Sequence, residues 1–303
     1  MAESSSSLAN NRYTGRFAPS PTGPLHYGSL VAAVASFVDA RSNDGTWLIR
    51  MEDLDPQREP PGAADIILGQ LNDFGMESDR PVLYQSSRSS AYQEALSCLE
   101  SQALCFFCDC SRQDVRAMGG VYDGTCRERT DLAASGCAIR VKVEQLQIAF
   151  VDQIQGLQRH NIREETGDFI IKRKDGLFAY QLAVVVDDAF QKITHVVRGF
   201  DLIDSTARQM YLQNSLGLPV PHYAHVPIIV NKSGQKLSKQ HFAEPVNGAG
   251  RQSILHATLQ CLGQQPPDKN RYLEVKDQLD WAIEHWDIQA VPKLATMRQD
   301  SIL

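Results

Sequence analysis

The chain has 303 residues, 43% hydrophobic and 22% charged, the balance of a folded globular protein. Its formal net charge of −6 excludes a nucleic-acid binder that works through overall basicity, so any such partner has to dock on local basic patches. The longest apolar run, LVAAVASFV at 30–38, falls far short of the ~20 residues needed to cross a bilayer, and no membrane association is expected.

Residues 1–12 (MAESSSSLANNR) are Ser-rich and lack the apolar segment of a secretory signal. They read as a flexible tail on a soluble, cytoplasmic protein. Residues 13–104 read as the first half of an α/β domain. YTGRFAPSP is a strand ending in a proline turn, and a helix opens near Leu25–Gly28 and runs through SLVAAVASFVDARS. TWLIRMED is the next strand. Strand, helix, strand is the crossover unit of a parallel sheet. PPGAADIILGQLNDFGM and SSAYQEALSCLESQAL are further helices, the first with Pro61 near its start and Gly75 at its end.

Over residues 105–161 cysteines, glycines and charges replace clean periodicity, as expected of an insertion with its own small structure. Residues 162–240 return to the α/β pattern. DFIIKRKDGLFAYQLAVVVDDAF reads as strand-like apolar runs split by a turn at KDG. GFDLIDSTARQMYLQNSLG is a helix capped by Asp204 or Ser205 and closed by Gly217; HYAHVPIIV is a strand and NKSGQ a turn. Residues 241–303 hold helical segments at RQSILHATLQCLG and EVKDQLDWAIEHW.

Three groups of residues carry chemistry. HYGS places His26 and Gly28 where a helix opens, and the free N–H groups there favour anions. Gly23 and Gly28 let a phosphate approach the backbone closely. GQKLSKQ sets Lys236 and Lys239 on a glycine-containing loop suited to neutralising polyphosphate. Taken singly, the first also fits an ordinary helix cap and the second a solvated lysine loop. Of the seven cysteines, all but Cys261 lie between Cys98 and Cys137. An odd count without a secretion signal speaks against a disulfide framework. Cys108, Cys110 and Cys126 have the spacing of zinc ligands, although reduced buried cysteines fit as well; zinc wants four ligands, and no histidine lies nearby. Cys98, Cys105, Cys137 and Cys261 read as core residues. The clusters Arg159/Arg163 and Lys172/Arg173/Lys174 read as solvated charged faces.

HYGS and KLSKQ resemble the two signature sequences of the class I aminoacyl-tRNA synthetases, with Tyr27, Ser29 and Gln240 departing from the usual residues. RFAPSPTGPLHYGSL, RMEDLD, FAYQLAVVVDD, VVRGFDL and HVPIIVNKSGQKLSKQ, in this order from Gly15 to Gln240, are similar to the glutamyl branch of that class. The resemblance implies a Rossmann-type doubly wound parallel sheet with a zinc-bearing insertion and a short helical C-terminal part. It implies ATP-dependent activation of L-glutamate. His26, Gly28, Lys236 and Lys239 would then handle ATP, His26 and Lys239 catalytically, with Mg²⁺ arriving with the nucleotide. Arg16, Phe17, Ala18, Pro19, Ser20, Glu52, Tyr180 and Arg198 would hold glutamate. It also implies Tyr122 as the fourth ligand, beside Cys108, Cys110 and Cys126, of one structural zinc per chain. Gln181 stands where related sequences often carry asparagine, and Asp187 and Asp188 receive no contact.

Full glutamyl-tRNA synthetases continue into anticodon-binding domains, for which residues 241–303 are too few. YDGTCR and YQLAVVVDD add to the likeness to the truncated members, which transfer glutamate to queuosine in the anticodon loop of tRNA(Asp). The expected partners are ATP, L-glutamate and queuosine-containing tRNA(Asp), handled by a monomer. The alternatives are a truncated enzyme charging tRNA(Glu) at its 3′ end, and a catalytically inactive amino-acid-binding paralogue.

Overall fold

The computed structural model describes residues 12–132, 135–144, 147–231 and 250–298. The loop with Lys236 and Lys239, and all of the NKSGQ turn beyond Asn231, lie outside the described residues.

Strand β1 (Thr14–Phe17) leads through the proline turn into α1 (Tyr27–Ser42), then β2 (Thr46–Met51), which pairs in parallel with β1. Gly45 makes the return from α1 to β2 possible, because a Cβ there would lie 2.8 Å from both the Ala40 carbonyl oxygen and Tyr13. Helix α2 (Ala63–Asp73), the short strand β3 (Leu83–Tyr84) and α3 (Ser89–Ser101) follow, with β3 parallel to β2. After the insertion come α6 (Tyr180–Phe190), β9 (His195–Gly199), α7 (Ile203–Leu216) and β10 (His222–Val226), the last parallel to β9. Thr194 N–H donates to the Thr14 carbonyl, 2.9 Å, which sets β9 beside β1.

Alternate residues of these strands serve different cores, as the strand period of two requires. Trp47, Ile49 and Met51 of β2, Val197 of β9, and Ala224 and Val226 of β10 join the cluster built around α1. Leu48, Val196 and Tyr223 turn the other way. On that second side α3, α6 and α7 pack against one another through Leu96, Val185 and Leu212.

The middle of the chain supplies β4 (Cys105–Cys108), α4 (Arg112–Ala117), β5 (Ala138–Val141), the hairpin β6 (Gln147–Asp152) and β7 (Gly156–Asn161), α5 (Ile162–Glu165) and β8 (Phe169–Lys172). β4, β5 and β8 form an antiparallel sheet. Beyond β11 (Ile228–Val230), helices α8 (Arg251–Cys261) and α9 (Val275–His285) place Leu255, Leu259 and Leu279 in the α1 core. Trp286 Nε1–H donates to Asp39 of α1, 2.8 Å.

Four local expectations need correction. YQLAVVVDDAF is the helix α6, not a strand. HYAHVPIIV is two strands, broken at Pro227, which cannot donate to a ladder; β11 pairs with β12 (Thr296–Arg298), a strand the helical reading of the last segment left out. Helix α7 is entered from a 3-10 turn at Phe200–Leu202, so its N-cap is Leu202, although Gly217 closes it in the left-handed conformation as expected. Cys98 is exposed and Cys105 and Cys137 are half-buried, so of those four cysteines only Cys261 is a core residue. Among the described residues no helix is long and apolar enough to cross a membrane.

Candidate active site

Strands β1, β2 and β9 end at one edge of the fold, beside the start of α1 and α6. There they enclose a cavity of about 580 Å³. Arg16, Phe17, Ala18, Pro19, Ser20, His26, Gly28, Glu52, Tyr180 and Arg198 all line it. Of the glutamate and nucleotide residues expected from the sequence that fall among the described residues, only Gly23 does not line it.

Arg16 and Arg198 reach the cavity from buried positions. Phe17 of β1 and Val197 of β9 face the α1 core, so Arg16 and Arg198 point to the opposite side of their strands. Arg16 Nε donates to Asp188 of α6, 3.2 Å, and Arg50 Nη1 donates to the same carboxylate oxygen, 2.7 Å. Arg50, fully buried, also donates to Gln191, 2.8 Å, and lies 3.5 Å from Glu52. Burial pushes the Glu52 carboxyl up, while Arg50 and Arg16 pull it back. For Asp188 burial pushes the same way, but the two arginines win and hold it below the usual carboxylate range. Sequence reading gave Arg50 no role and left Asp188 without a contact. Their signal was strand parity: Arg50 faces the same side of the sheet as Arg16.

Arg198 is held at three points. Its Nε donates to His225 Nε2 (3.0 Å), and its Nη2 to the Leu202 carbonyl (3.2 Å) and Thr206 Oγ1 (2.8 Å). Nη1 is buried and has no hydrogen-bond partner among the described residues. A buried guanidinium N–H that lines a cavity is suited to donate to an oxygen, and best to a carboxylate.

His26 is the N-cap of α1. Its Nδ1 accepts from Ser29 N–H, 3.2 Å, and its Nε2 lies 3.1 Å from Ser29 Oγ, so the ring is fixed across the opening of the helix. Gly28 keeps that ring in place, since a Cβ there would sit 3.3 Å from its atoms. Gln181 turns away from the cavity, donating to Ser205 (3.1 Å) and accepting from Gln209 (3.1 Å). Asp187 accepts from Gln85, Arg88 and Tyr92.

A second cluster lies apart from the cavity. The sulfur atoms of Cys108, Cys110 and Cys126 all lie within 4.8 Å of one another, with Cys108 and Cys126 fully buried, and the three could hold a metal ion. Tyr122 Oη lies 3.6 Å from Cys108 Sγ and accepts from Cys126 N–H, 2.8 Å. Arg140 closes the pocket, with Nε 3.2 Å from Cys108 Sγ and its guanidinium carbon 3.9 Å from the Tyr122 ring centre. In the basic clusters, Arg163 pairs with Asp168 and Arg173 with Asp55 and Asp175.

Residues 13–250 match the family of class I tRNA synthetases (E and Q), catalytic domain, and the chain belongs to that family. Over nearly its whole length it is similar to proteins of one kind within it. It is 47% identical over 290 residues to the glutamyl-Q tRNA(Asp) synthetase of Pseudomonas aeruginosa, covering 96% of this chain and 99% of that one. It is 53% identical over 284 residues to the glutamyl-Q tRNA(Asp) synthetase of Thiobacillus denitrificans, covering 92% and 94%. Among solved structures, the glutamate tRNA ligase of Elizabethkingia meningosepticum in complex with its amino acid superposes with a TM-score of 0.78 at 26% identity, over 95% of this chain and 67% of that one.

Proposed function

We propose that the protein activates L-glutamate with ATP and transfers it to queuosine in tRNA(Asp). The observation that carries this reading is the single cavity in which Arg16, Glu52, Tyr180 and the orphaned Nη1 of Arg198 meet the N-terminus of α1. The name shared by relatives that align along almost the whole chain supports the acceptor.

Glutamate has two carboxylates and an ammonium. Arg16 and Arg198 supply cations for the side-chain carboxylate, Glu52 an anion for the ammonium, and Tyr180 a hydroxyl. The α-carboxylate attacks the α-phosphorus of ATP, the bond to the bridging oxygen breaks, and pyrophosphate leaves. Two anions meet in this step, so the work of the protein is positioning and charge stabilisation. The N–H groups opening α1, with His26, hold phosphate oxygens. Lys236 and Lys239 are assigned to the phosphates from the sequence alone. Mg²⁺ bound with the nucleotide would neutralise further phosphate charge. A queuosine hydroxyl then attacks the adenylate carbonyl and AMP leaves.

The charging assay compares tRNA(Asp) with queuosine against the same tRNA with guanosine. Labelled glutamate should enter the queuosine tRNA alone, and nuclease digestion should return it on the queuosine nucleoside rather than on the 3′-terminal adenosine. Charging of tRNA(Glu) that periodate abolishes would establish the 3′-end reading. Absence of glutamate-dependent pyrophosphate exchange would establish the inactive one.

Zinc is the metal that best fits the cysteine cluster, with Tyr122 as fourth donor, since three thiolates and one oxygen suit its four-coordinate preference. Its task would be structural, pinning residues 105–161 as an insertion between the two halves of the catalytic domain, 13–104 and 162–240, with 241–303 as the helical C-terminal part of a monomer. Protein purified without chelators should carry about one zinc per chain, and Cys126→Ser should lose it. Metal analysis that finds none in the unaltered protein overturns the site.

A further inference from the structure

Behind Arg198 lies a buried chain of groups that the reaction itself does not touch. Arg198 Nε always carries a proton, so His225 Nε2, 3.0 Å away, has to be an acceptor. The ring proton therefore sits on Nδ1, which donates to Asp152 Oδ2, 2.6 Å. The other oxygen of Asp152 accepts three backbone N–H groups, from Ile154 (3.0 Å), Gln155 (2.9 Å) and His225 itself (3.2 Å). Asp152 is 1% exposed and His225 is 0% exposed, so no water competes for these bonds. Burial, helped by the nearby Arg198 charge, pushes the His225 imidazole down to about 4 against the pull of Asp152, so it is neutral at working pH.

We infer that Asp152, by fixing the tautomer of His225, orients Arg198 toward the amino-acid carboxylate, so that the tip of the β6–β7 hairpin sets the affinity for glutamate. This rests on the proposed function, and it makes Asp152 and His225 positioning residues.

The geometry supplies its own test in Asp152→Asn. The three backbone donors keep the oxygen of the new side chain where Asp152 Oδ1 stood, so its NH₂ must face His225 Nδ1. An amide donor there forces the imidazole proton onto Nε2, which then confronts the Arg198 Nε–H, donor against donor. His225→Gln and His225→Asn divide the chain differently. A glutamine amide oxygen can reach the place of Nε2 and accept from Arg198, whereas asparagine reaches only the Nδ1 side.

Glutamate-dependent pyrophosphate exchange, measured with varied glutamate and varied ATP, reads out the effect. Asp152→Asn and His225→Asn are expected to raise KM for glutamate by about 10–100-fold, the scale of a lost charge-assisted hydrogen bond, and to leave KM for ATP unchanged. His225→Gln should stay within about threefold of the unaltered protein. Nitrogen-15 NMR of the labelled imidazole should show the Nε2–H tautomer in Asp152→Asn and the Nδ1–H tautomer in the parent. A switched tautomer with unchanged KM for glutamate overturns the inference. So does an unswitched one, or a parallel rise in both KM values. Should Asp152→Asn fail to fold, the glutamine and asparagine pair at 225 makes the same comparison. The tautomer is read without substrate, so a parent protein that fails to activate glutamate defeats the proposed function separately.

Discussion

Arg198→Lys is expected to lower kcat/KM for glutamate in pyrophosphate exchange by about 10²–10³-fold, with KM for ATP little changed. Arg198 uses its Nε and Nη2 to bind His225, Leu202 and Thr206, and these bonds aim the unpartnered Nη1. A lysine has one nitrogen for all of these tasks. If it stays with the protein acceptors, the carboxylate is left without a partner; if it turns to the carboxylate, the buried pair His225 and Thr206, 3.3 Å apart, loses its cationic donor. Both arrangements cost a buried charged hydrogen bond, which is why the exchange loses so much despite conservation of charge. A loss below about threefold would remove Arg198 from the amino-acid site.

Arg50→Met is expected to lower folding stability by about 3–5 kcal/mol in urea unfolding at neutral pH, the scale for leaving a buried ion without its partner. Arg50 is fully buried and touches Asp188, Gln191 and Glu52. Methionine fills most of the volume but leaves Asp188 with Arg16 alone. The pH dependence has a definite sign. Asp188 is depressed in the folded parent, so it stabilises the fold above the ordinary carboxylate pKa, and that contribution fades as acid protonates it. In Arg50→Met the deficit should therefore shrink toward acid pH, where a protonated Asp188 no longer needs the missing cation. Adding Asp188→Asn should recover most of the loss at neutral pH. A deficit under about 1 kcal/mol would mean that the pair behaves like a solvated one.

The first crossover was legible in the sequence because its elements are punctuated: the proline turn separates β1 from α1, and Gly45 separates α1 from the short apolar strand β2. Site residues inside co-linear motifs were legible because the motifs fix their order and spacing, and apart from Gly23 those that fall among the described residues share one cavity. Helix α6 was not. Its run AVVV is β-branched, and the helix is buried on nearly every side, so it shows neither the polar face of a surface helix nor a propensity for one. Packing against α3 and α7 decides its form. His225 and Asp152 could not have been joined to Arg198 by spacing. His225 stands opposite Arg198 only through the register of β9 with β10, and Asp152 arrives from a separate hairpin. Register and crossover are long-range facts that no local pattern carries.

Helix α6 acts as a gauge. Tyr180 opens it at the cavity, and Asp188, eight residues on and so roughly 12 Å along the axis, grips arginines from β1 and β2. A helix is stiff over two turns, so α6 ties the position of Tyr180 at the cavity to that of Arg16, which lines the same cavity. Under the proposed function, aspartate carries the same charges as glutamate on a chain one methylene shorter, and closing on it would require Asp188 to shift against its arginines. Trimming one methylene from a ligand in a soft apolar pocket costs about 1–3 kcal/mol. Under the proposed function the shorter molecule would also leave a buried guanidinium without its carboxylate, so the rigidity of α6 would contribute to selectivity.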